Sequence, residues 1–272
     1  MPEGQAQIQM GYRNHPSTTR TSGPPRRVGL LPVRAAGFGA ISFLSSLILA
    51  CDSGSGPGPV PAAVEIWAGD GQTATVFTAL SDPPSVRVLT QGGRPVRSQE
   101  VVFSVASGNG RVSGNVVETG ADGVAVVGAW ILGTTAGEQR LQARVADLPP
   151  VFFSAAAMPG APARLVIHGG NDQVGTVGTP LPESPSVLVR DLYGNPVPDV
   201  AVDFRVGGGG GFLGGGTAET DGEGVARAPA WTLGTRPGLN TLSASVPGVN
   251  PLTFRASADP GPPGRVTVLL GD

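Results

Sequence analysis

Short runs of this sequence alternate apolar and polar side chains. Val101, Phe103 and Val105 make one such run, Leu141, Ala143 and Val145 another, and Val86 and Val88 a third. A period of two puts successive side chains on opposite faces of an extended backbone, so each run predicts a half-buried strand. Turn formers stand between the runs: Gly92-Gly93, Ala121-Asp122-Gly123, Gly194-Asn195-Pro196 and Asp221-Gly222-Glu223-Gly224. Glycine supplies the backbone angles that tight turns need, and Asp and Asn bond to their own backbone there. After residue 50 no segment has the apolar period of an amphipathic helix.

The pattern occurs twice. Ala129-Trp130-Ile131-Leu132-Gly133-Thr134 returns as Ala230-Trp231-Thr232-Leu233-Gly234-Thr235, an offset of 101 residues. At that same offset, without a gap, Val101, Phe103 and Val105 become Val202, Phe204 and Val206. Pro84-Ser85-Val86 becomes Pro185-Ser186-Val187, and Glu118-Thr119 becomes Glu219-Thr220. The period is that of a small domain rather than a solenoid unit, so each copy should own a core. Seven or so short strands in about 100 residues is the rhythm of an immunoglobulin-like (Ig-like) sandwich. The expected fold class is therefore all-β, with tandem immunoglobulin-like β-sandwich domains.

The domain plan follows from the punctuation. Residues 51–63 are a Ser/Gly/Pro tether, flexible through Ser and Gly and extended by Pro. Residues 64–158 form the first Ig-like domain, 159–164 a linker and 165–258 the second domain. Residues 259–272 repeat the linker and then the first strand of an incomplete third repeat. Truncation accounts for that stub, since it keeps the linker and register of a full repeat; the alternative is a strand donated to a neighbouring sheet. One stretch has an ambiguous facing. Val124, Val126 and Trp130 share a parity, yet Arg227 stands opposite Val126 in the second copy, while Ala125, Val127 and Ala129 are apolar in both. A bulge before Trp130 would reconcile the two faces.

Composition changes the picture in three places. Glycine (43 residues) and proline (27) are abundant, a load that can signal disorder. Here it punctuates apolar runs, as turns do in an all-β protein. Beyond residue 50 there are 13 arginines, no lysine, and 19 acids. A mildly acidic body with scattered arginines argues against a nucleic-acid partner. The single cysteine, Cys51, excludes an intrachain disulfide, so each sandwich must rest on its packed core.

Residues 1–50 read as an address. Residues 35–50 are apolar and uncharged, preceded by Arg26, Arg27 and Arg34 and ended by Ala50-Cys51. That is the build of a signal peptide with a long polar N-terminal extension, and the run falls short of a membrane span of about 20 residues. Val28-Gly29-Leu30 after Arg26-Arg27 does not continue a twin-arginine pattern. Ile48-Leu49-Ala50-Cys51 resembles a bacterial lipobox. The resemblance implies that Cys51 is lipidated and becomes the mature N-terminus, which makes a membrane the partner of this end. The plain alternative is a free cysteine at the end of an ordinary signal peptide.

A wider resemblance covers most of residues 64–258. Gly69-Asp70-Gly71-Gln72, Pro84-Ser85-Val86, Gly93-Arg94-Pro95-Val96, Val101-Val102-Phe103, Glu118-Thr119-Gly120-Ala121-Asp122-Gly123 and Ala129-Trp130-Ile131-Leu132-Gly133 carry it, with Asp191-Leu192-Tyr193-Gly194-Asn195-Pro196-Val197 in the second copy. The repeat resembles the group 1 bacterial Ig-like domains of the intimin and invasin type. The resemblance implies rods or adhesive tips on bacterial surfaces. Its motifs read as strand, turn, strand and bring no chemistry with them.

Candidate chemistry is sparse. The histidines are His15 and His168; the first lies in the segment to be removed, and the second aligns with Trp67 and is assigned a structural role. No Ser/His/Asp arrangement, G-x-S-x-G, H-E-x-x-H or phosphate loop occurs. The glycine run 207–211 lacks the Lys and the helix that a phosphate site wants. Asp70, Asp122, Asn171, Asp172, Asp221 and Glu223 sit in turns without calcium-loop spacing, and are read as turn formers. Trp130 and Trp231, with Phe103 and Phe204, are read as core; the other reading of the tryptophans is a carbohydrate platform, for which Trp67 is the more exposed candidate. No catalytic residue, cofactor site or metal site is expected. The leading expectation is a non-enzymatic, exported cell-surface lipoprotein, a rod-like Ig-like spacer or adhesion module, lipid-anchored in the cell envelope. Its ligand would be a surface protein or glycan. The alternative is a glycan-binding accessory module of a cell-envelope system.

Overall fold

The computed structural model describes residues 58–265. Every regular element in them is a strand. The first domain runs β1 (Ala63–Ala68), β2 (Gln72–Thr75), β3 (Ser85–Leu89), β4 (Glu100–Ser107), β5 (Arg111–Ser113), β6 (Val116–Glu118), β7 (Val124–Val126), β8 (Ala129–Ile131), β9 (Gly137–Arg144) and β10 (Val151–Met158). The second runs β11 (Arg164–Gly169), β12 (Gln173–Thr176), β13 (Ser186–Arg190), β14 (Ala201–Val206), β15 (Phe212–Leu213), β16 (Thr217–Glu219), β17 (Val225–Arg227), β18 (Trp231–Thr232), β19 (Gly238–Ser245) and β20 (Leu252–Asp259). Each domain packs a three-stranded sheet (β1-β3-β7; β11-β13-β17) and a five-stranded sheet (β2-β10-β9-β4-β6; β12-β20-β19-β14-β16), with a two-stranded ribbon beside them (β5-β8; β15-β18). Pairing is antiparallel except between the short second strand and the last strand of each domain, where β2 runs parallel to β10 and β12 to β20.

Ten strands per domain exceed the seven or so of the alternation pattern, because the chain changes sheets in two places. The first is Gly69-Asp70-Gly71. Gly69 holds φ +84°, and a Cβ on it would lie 2.7 Å from Pro84 Cα. Only glycine lets the backbone turn this close to the proline and cross to the other sheet. Gln72 Nε2 then donates to the carbonyls of Gly69 and Asp82, at 2.8 and 2.7 Å, and pins the crossing. Gly170 and Gln173 repeat the arrangement against Pro185.

The second change settles the ambiguous stretch. Ala125 and Val127 point inward, then Trp130 and Leu132 do. The parity flips at Gly128, where the chain leaves β3 and pairs with β5. The device is a break between two sheets rather than a bulge within one. Arg227, the residue that conflicted with an inward facing, is exposed.

The alternating positions form two separate cores. Val86, Val88, Val101, Phe103, Leu141, Ala143 and Phe153 are buried in the first, with Trp130 at 0% exposure. Their counterparts Val187, Val189, Val202, Phe204, Leu242, Ala244 and Phe254 are buried in the second, with Trp231 at 0%. Phe103 and Phe153 meet across the first core with ring centroids 6.4 Å apart, the tilted contact that aromatic quadrupoles favour. The glycine after each tryptophan is a matter of space. A Cβ on Gly133 would lie within 1.7 Å of the Gly108 carbonyl oxygen, and one on Gly234 within 1.6 Å of that of Gly209. Buried amides hold both turns: Gly133 N donates to Gln139 Oε1 at 2.7 Å, and Gly234 N to Asn240 Oδ1 at 2.9 Å.

Candidate functional site

Among the described residues, polar chemistry is buried between the two domains at their joint. The loop after β13, Asp191-Leu192-Tyr193-Gly194-Asn195, turns back on itself and meets the end of domain one that carries the turn between β8 and β9. Asn195 Nδ2 donates to the Thr134 carbonyl at 2.8 Å, and Ala136 N donates to Asn195 Oδ1 at 2.9 Å. A carboxamide carries a donor and an acceptor on one small plane. Asn195 thus matches one free C=O and one free N–H of the facing turn at once.

Asp191 holds that amide in place. Its carboxylate, buried beneath the loop, accepts hydrogen bonds from Asn195 Nδ2 (2.8 Å), Asn195 N (2.8 Å), Tyr193 N (2.9 Å) and, from the linker, Gly160 N (2.9 Å). Burial works to raise the pKa of Asp191. The bonds from the Asn195 side chain and from the Gly160, Asn195 and Tyr193 backbones outweigh it, and the carboxyl is held below its ordinary value. The fixed negative charge orders the loop and the linker together.

An aromatic contact flanks the polar one. Phe77 and Tyr193 stand with ring centroids 5.7 Å apart at an interplanar angle of 51°. The Arg111 guanidinium lies 5.3 Å from the Phe77 centroid, over the ring. Phe77 holds φ +61°, whereas its counterpart in the second copy is Gly178, with φ +72°. That conformation costs a residue with a Cβ about 1–2 kcal/mol. A bulky ring kept where the turn asks for glycine points to the joint contact as its use.

The residues singled out in the sequence fall elsewhere. Trp130, Trp231, Phe103 and Phe204 lie inside the cores. Trp67 is 55% exposed on β1, with the Arg87 guanidinium 5.0 Å from its ring centroid. His168 is exposed on β11. The turn acids spend their oxygens on the backbone: Asp70 Oδ1 accepts from Ser154 N, Asp122 Oδ1 from Val124 N, and Asp221 Oδ1 from Glu223 N and Val225 N. Asn171 Oδ1 accepts from Arg255 N. Cys51 and the strand of the third repeat, residues 266–272, lie outside the described residues. Asp191 and Asn195 read as a turn in the sequence, and their role across the joint was missed. The available signal was their departure from the repeat, which has Thr90 and Arg94 at those positions.

No protein-family model and no curated protein sequence matches the chain. Solved structures do. InvD of Yersinia pseudotuberculosis is 15% identical over 72% of this chain and 58% of its own, with a TM-score of 0.50. FdeC, an Escherichia coli adhesin, is 19% identical over 72% of this chain and 65% of its own, with a TM-score of 0.43. The D0-D1 domain of intimin is 18% identical over 73% of this chain and 97% of its own, with a TM-score of 0.27. The chain thus spans less than two thirds of the InvD and FdeC structures. At these identities the likeness speaks for the fold, and the fold defines the class: tandem Ig-like β-sandwich domains. The neighbours include intimin and invasin, members of the group that the sequence motifs resemble.

Proposed function

We propose that this protein is a non-enzymatic spacer or adhesion module of the bacterial cell surface, exported by its N-terminal segment and anchored through lipid on Cys51. The joint is the observation that carries the reading. A spacer must hold its far end at a set distance and direction, and that requires ordered contacts between successive domains. The Asn195 bridge and the Asp191 cage supply them with buried, fully partnered polar groups, which favour one geometry over others. The address at residues 35–51 supports the location.

Expression of the whole chain in a bacterial host tests it. An epitope inserted in domain two should be removed from intact cells by added protease, and Cys51→Ala should move the protein from the membrane to the soluble fraction. Protection of the epitope until the cells are lysed would sink surface display. An uncleaved Cys51→Ala protein that stays with the membranes would make residues 35–50 a plain anchor.

A glycan-binding accessory module is the second reading. It is favoured by Trp67, an exposed ring backed by Arg87. A glycan array without a binder, or a binder that Trp67→Ala leaves untouched, removes it.

A further inference from the structure

The joint has a counterpart at the far end of domain two that no other domain covers among the described residues. At the offset of 101, Thr134 becomes Thr235, Ala136 becomes Pro237, Phe77 becomes Gly178, Arg111 becomes Phe212, and the linker residue Gly160 becomes Gly261. Around these positions Gly209, Gly210, Thr235, Arg236, Pro237 and Leu239 line an open cleft of about 380 Å³. Leu239 and Phe212 are 61% and 67% exposed.

Part of the first joint's chemistry persists there. Among the described residues nothing donates to the Thr235 carbonyl and nothing accepts from Gly261 N. The rest is gone. Pro237 has no N–H, so an asparagine docked as Asn195 is would leave its Oδ1 buried without a donor. Gly178 offers no ring to a tyrosine docked as Tyr193 is. The loop of domain two therefore does not fit the far end of domain two.

The loop of domain one carries the complementary changes. Thr90-Gln91-Gly92-Gly93-Arg94 is the counterpart of Asp191–Asn195, with Gly92 for Tyr193 and Arg94 for Asn195. It keeps the turn: Arg94 N donates to Thr90 Oγ1 at 3.2 Å, as Asn195 N does to Asp191 Oδ1 at 2.8 Å. A guanidinium donates only, so it asks for a carbonyl such as that of Thr235 and needs no N–H from position 237. Gly92 would face Gly178, and Phe212 offers the guanidinium a ring face. The proline and glycine of this face thus meet the arginine and glycine of that loop, while Arg236, where the first joint has Thr135, adds a cation to the cleft that the incoming guanidinium must be turned away from.

We propose that the far end of domain two is a docking surface for a further Ig-like domain, joined through the 259–265 linker, whose docking loop is of the domain-one kind. That loop has glycine at the Tyr193 position and a donor-only side chain at the Asn195 position. A string of such domains would alternate two joint chemistries. The occupant is a linked domain rather than a free second copy. Residues 260–265 repeat the linker 159–164, and in a free copy residues 58–62 would claim the same place, since Ala62 N donates to Leu89 O as Ala163 N does to Arg190 O. The proposal stands apart from the surface and lipid reading, and its test uses soluble protein.

Residues 58–265, which hold both self-contained cores, are extended after Arg265 with a copy of either residues 64–158 or residues 165–258. Spin-label pairs across each joint report the spread of interdomain distances. The domain-one copy should give a distribution as narrow as that across the first joint, and the domain-two copy a broad one. Arg94→Ala in the added domain should broaden the former. Gly178→Phe with Pro237→Ala in the middle domain should narrow the distribution of the domain-two copy; Pro237→Ala alone, which only restores the N–H, should do so in part if the double variant fails to fold. Equal widths for the two copies, or widths indifferent to these substitutions, would overturn the proposal.

Discussion

Ala136→Pro isolates one hydrogen bond of the joint. The second copy has proline at this position, Pro237, in the same turn, so the backbone accepts the ring and the change reduces to one lost N–H. That N–H is the donor to Asn195 Oδ1 at 2.9 Å. Its loss removes a bond worth about 0.5–1.5 kcal/mol net and leaves a buried acceptor unpaired, at about 1–3 kcal/mol. The penalty is capped by the worth of the whole joint, because an opened joint gives every group back to water. Two cross-joint bonds at about 1 kcal/mol each and the Phe77–Tyr193 pair at about 0.5–1.5 kcal/mol set that cap at about 2.5–3.5 kcal/mol; the strain at Phe77 belongs to a turn closed within domain one, where Phe77 N donates to the Gly133 carbonyl, and stays when the joint opens. The expected loss of coupling is therefore about 1.5–3.5 kcal/mol, or about 6–28 °C in the midpoint of a domain of this size. Proline also stiffens the unfolded chain, by about 0.4–1 kcal/mol. Calorimetry of the same substitution in residues 58–158 alone removes that contribution, and the difference between the two measurements is the coupling. A difference within about 0.5 kcal/mol, the usual additivity error, would refute the claim that Asn195 fastens the domains.

Two more outcomes follow from the cores and the cage. Trp231→Ala should cost domain two about 3–5 kcal/mol and leave the unfolding of domain one nearly unchanged; loss of both transitions together would show that the cores are not independent. Asp191 has a folded pKa below its ordinary value near 3.8. Its share of the joint should be complete above that value and fade as pH falls through the lowered one. Coupling measured from pH 7 to pH 2 should drop only at the acid end, and Asp191→Asn should flatten the profile.

The cores were legible because burial follows a period of two that the sequence writes out. Val101, Phe103 and Val105 needed nothing beyond alternation. The tryptophans were legible because a large ring in a sandwich is most often packed between the sheets; their recurrence fits a core and a platform alike. The switch at Gly128 was harder, since parity describes one strand in one sheet, and here the chain changes partners between Val127 and Trp130. The joint was not legible from strand patterns at all. Asn195 looks like any turn asparagine, and what it bonds is a carbonyl and an N–H of another domain, 61 and 59 residues away. Such bonds leave no periodic trace. They show instead as places where two otherwise matching copies part company, Tyr193 against Gly92 and Asn195 against Arg94.

The parallel pairing of β2 with β10 sets how each domain bears tension. Gln72 lies beside Ala155, and Thr75 beside Met158, so the chain arrives near one end of this ladder and departs at the other. Once β1 has parted from β3, a pull between the preceding segment and the linker acts along the two strands in opposite directions. The rungs are then strained together in shear, whereas an antiparallel hairpin pulled at its open end would unzip one rung at a time. The pairing of Gln173 with Ala256 through Thr176 with Asp259 gives domain two the same arrangement. A drag force on the far end would cross both domains through ladders oriented to resist it.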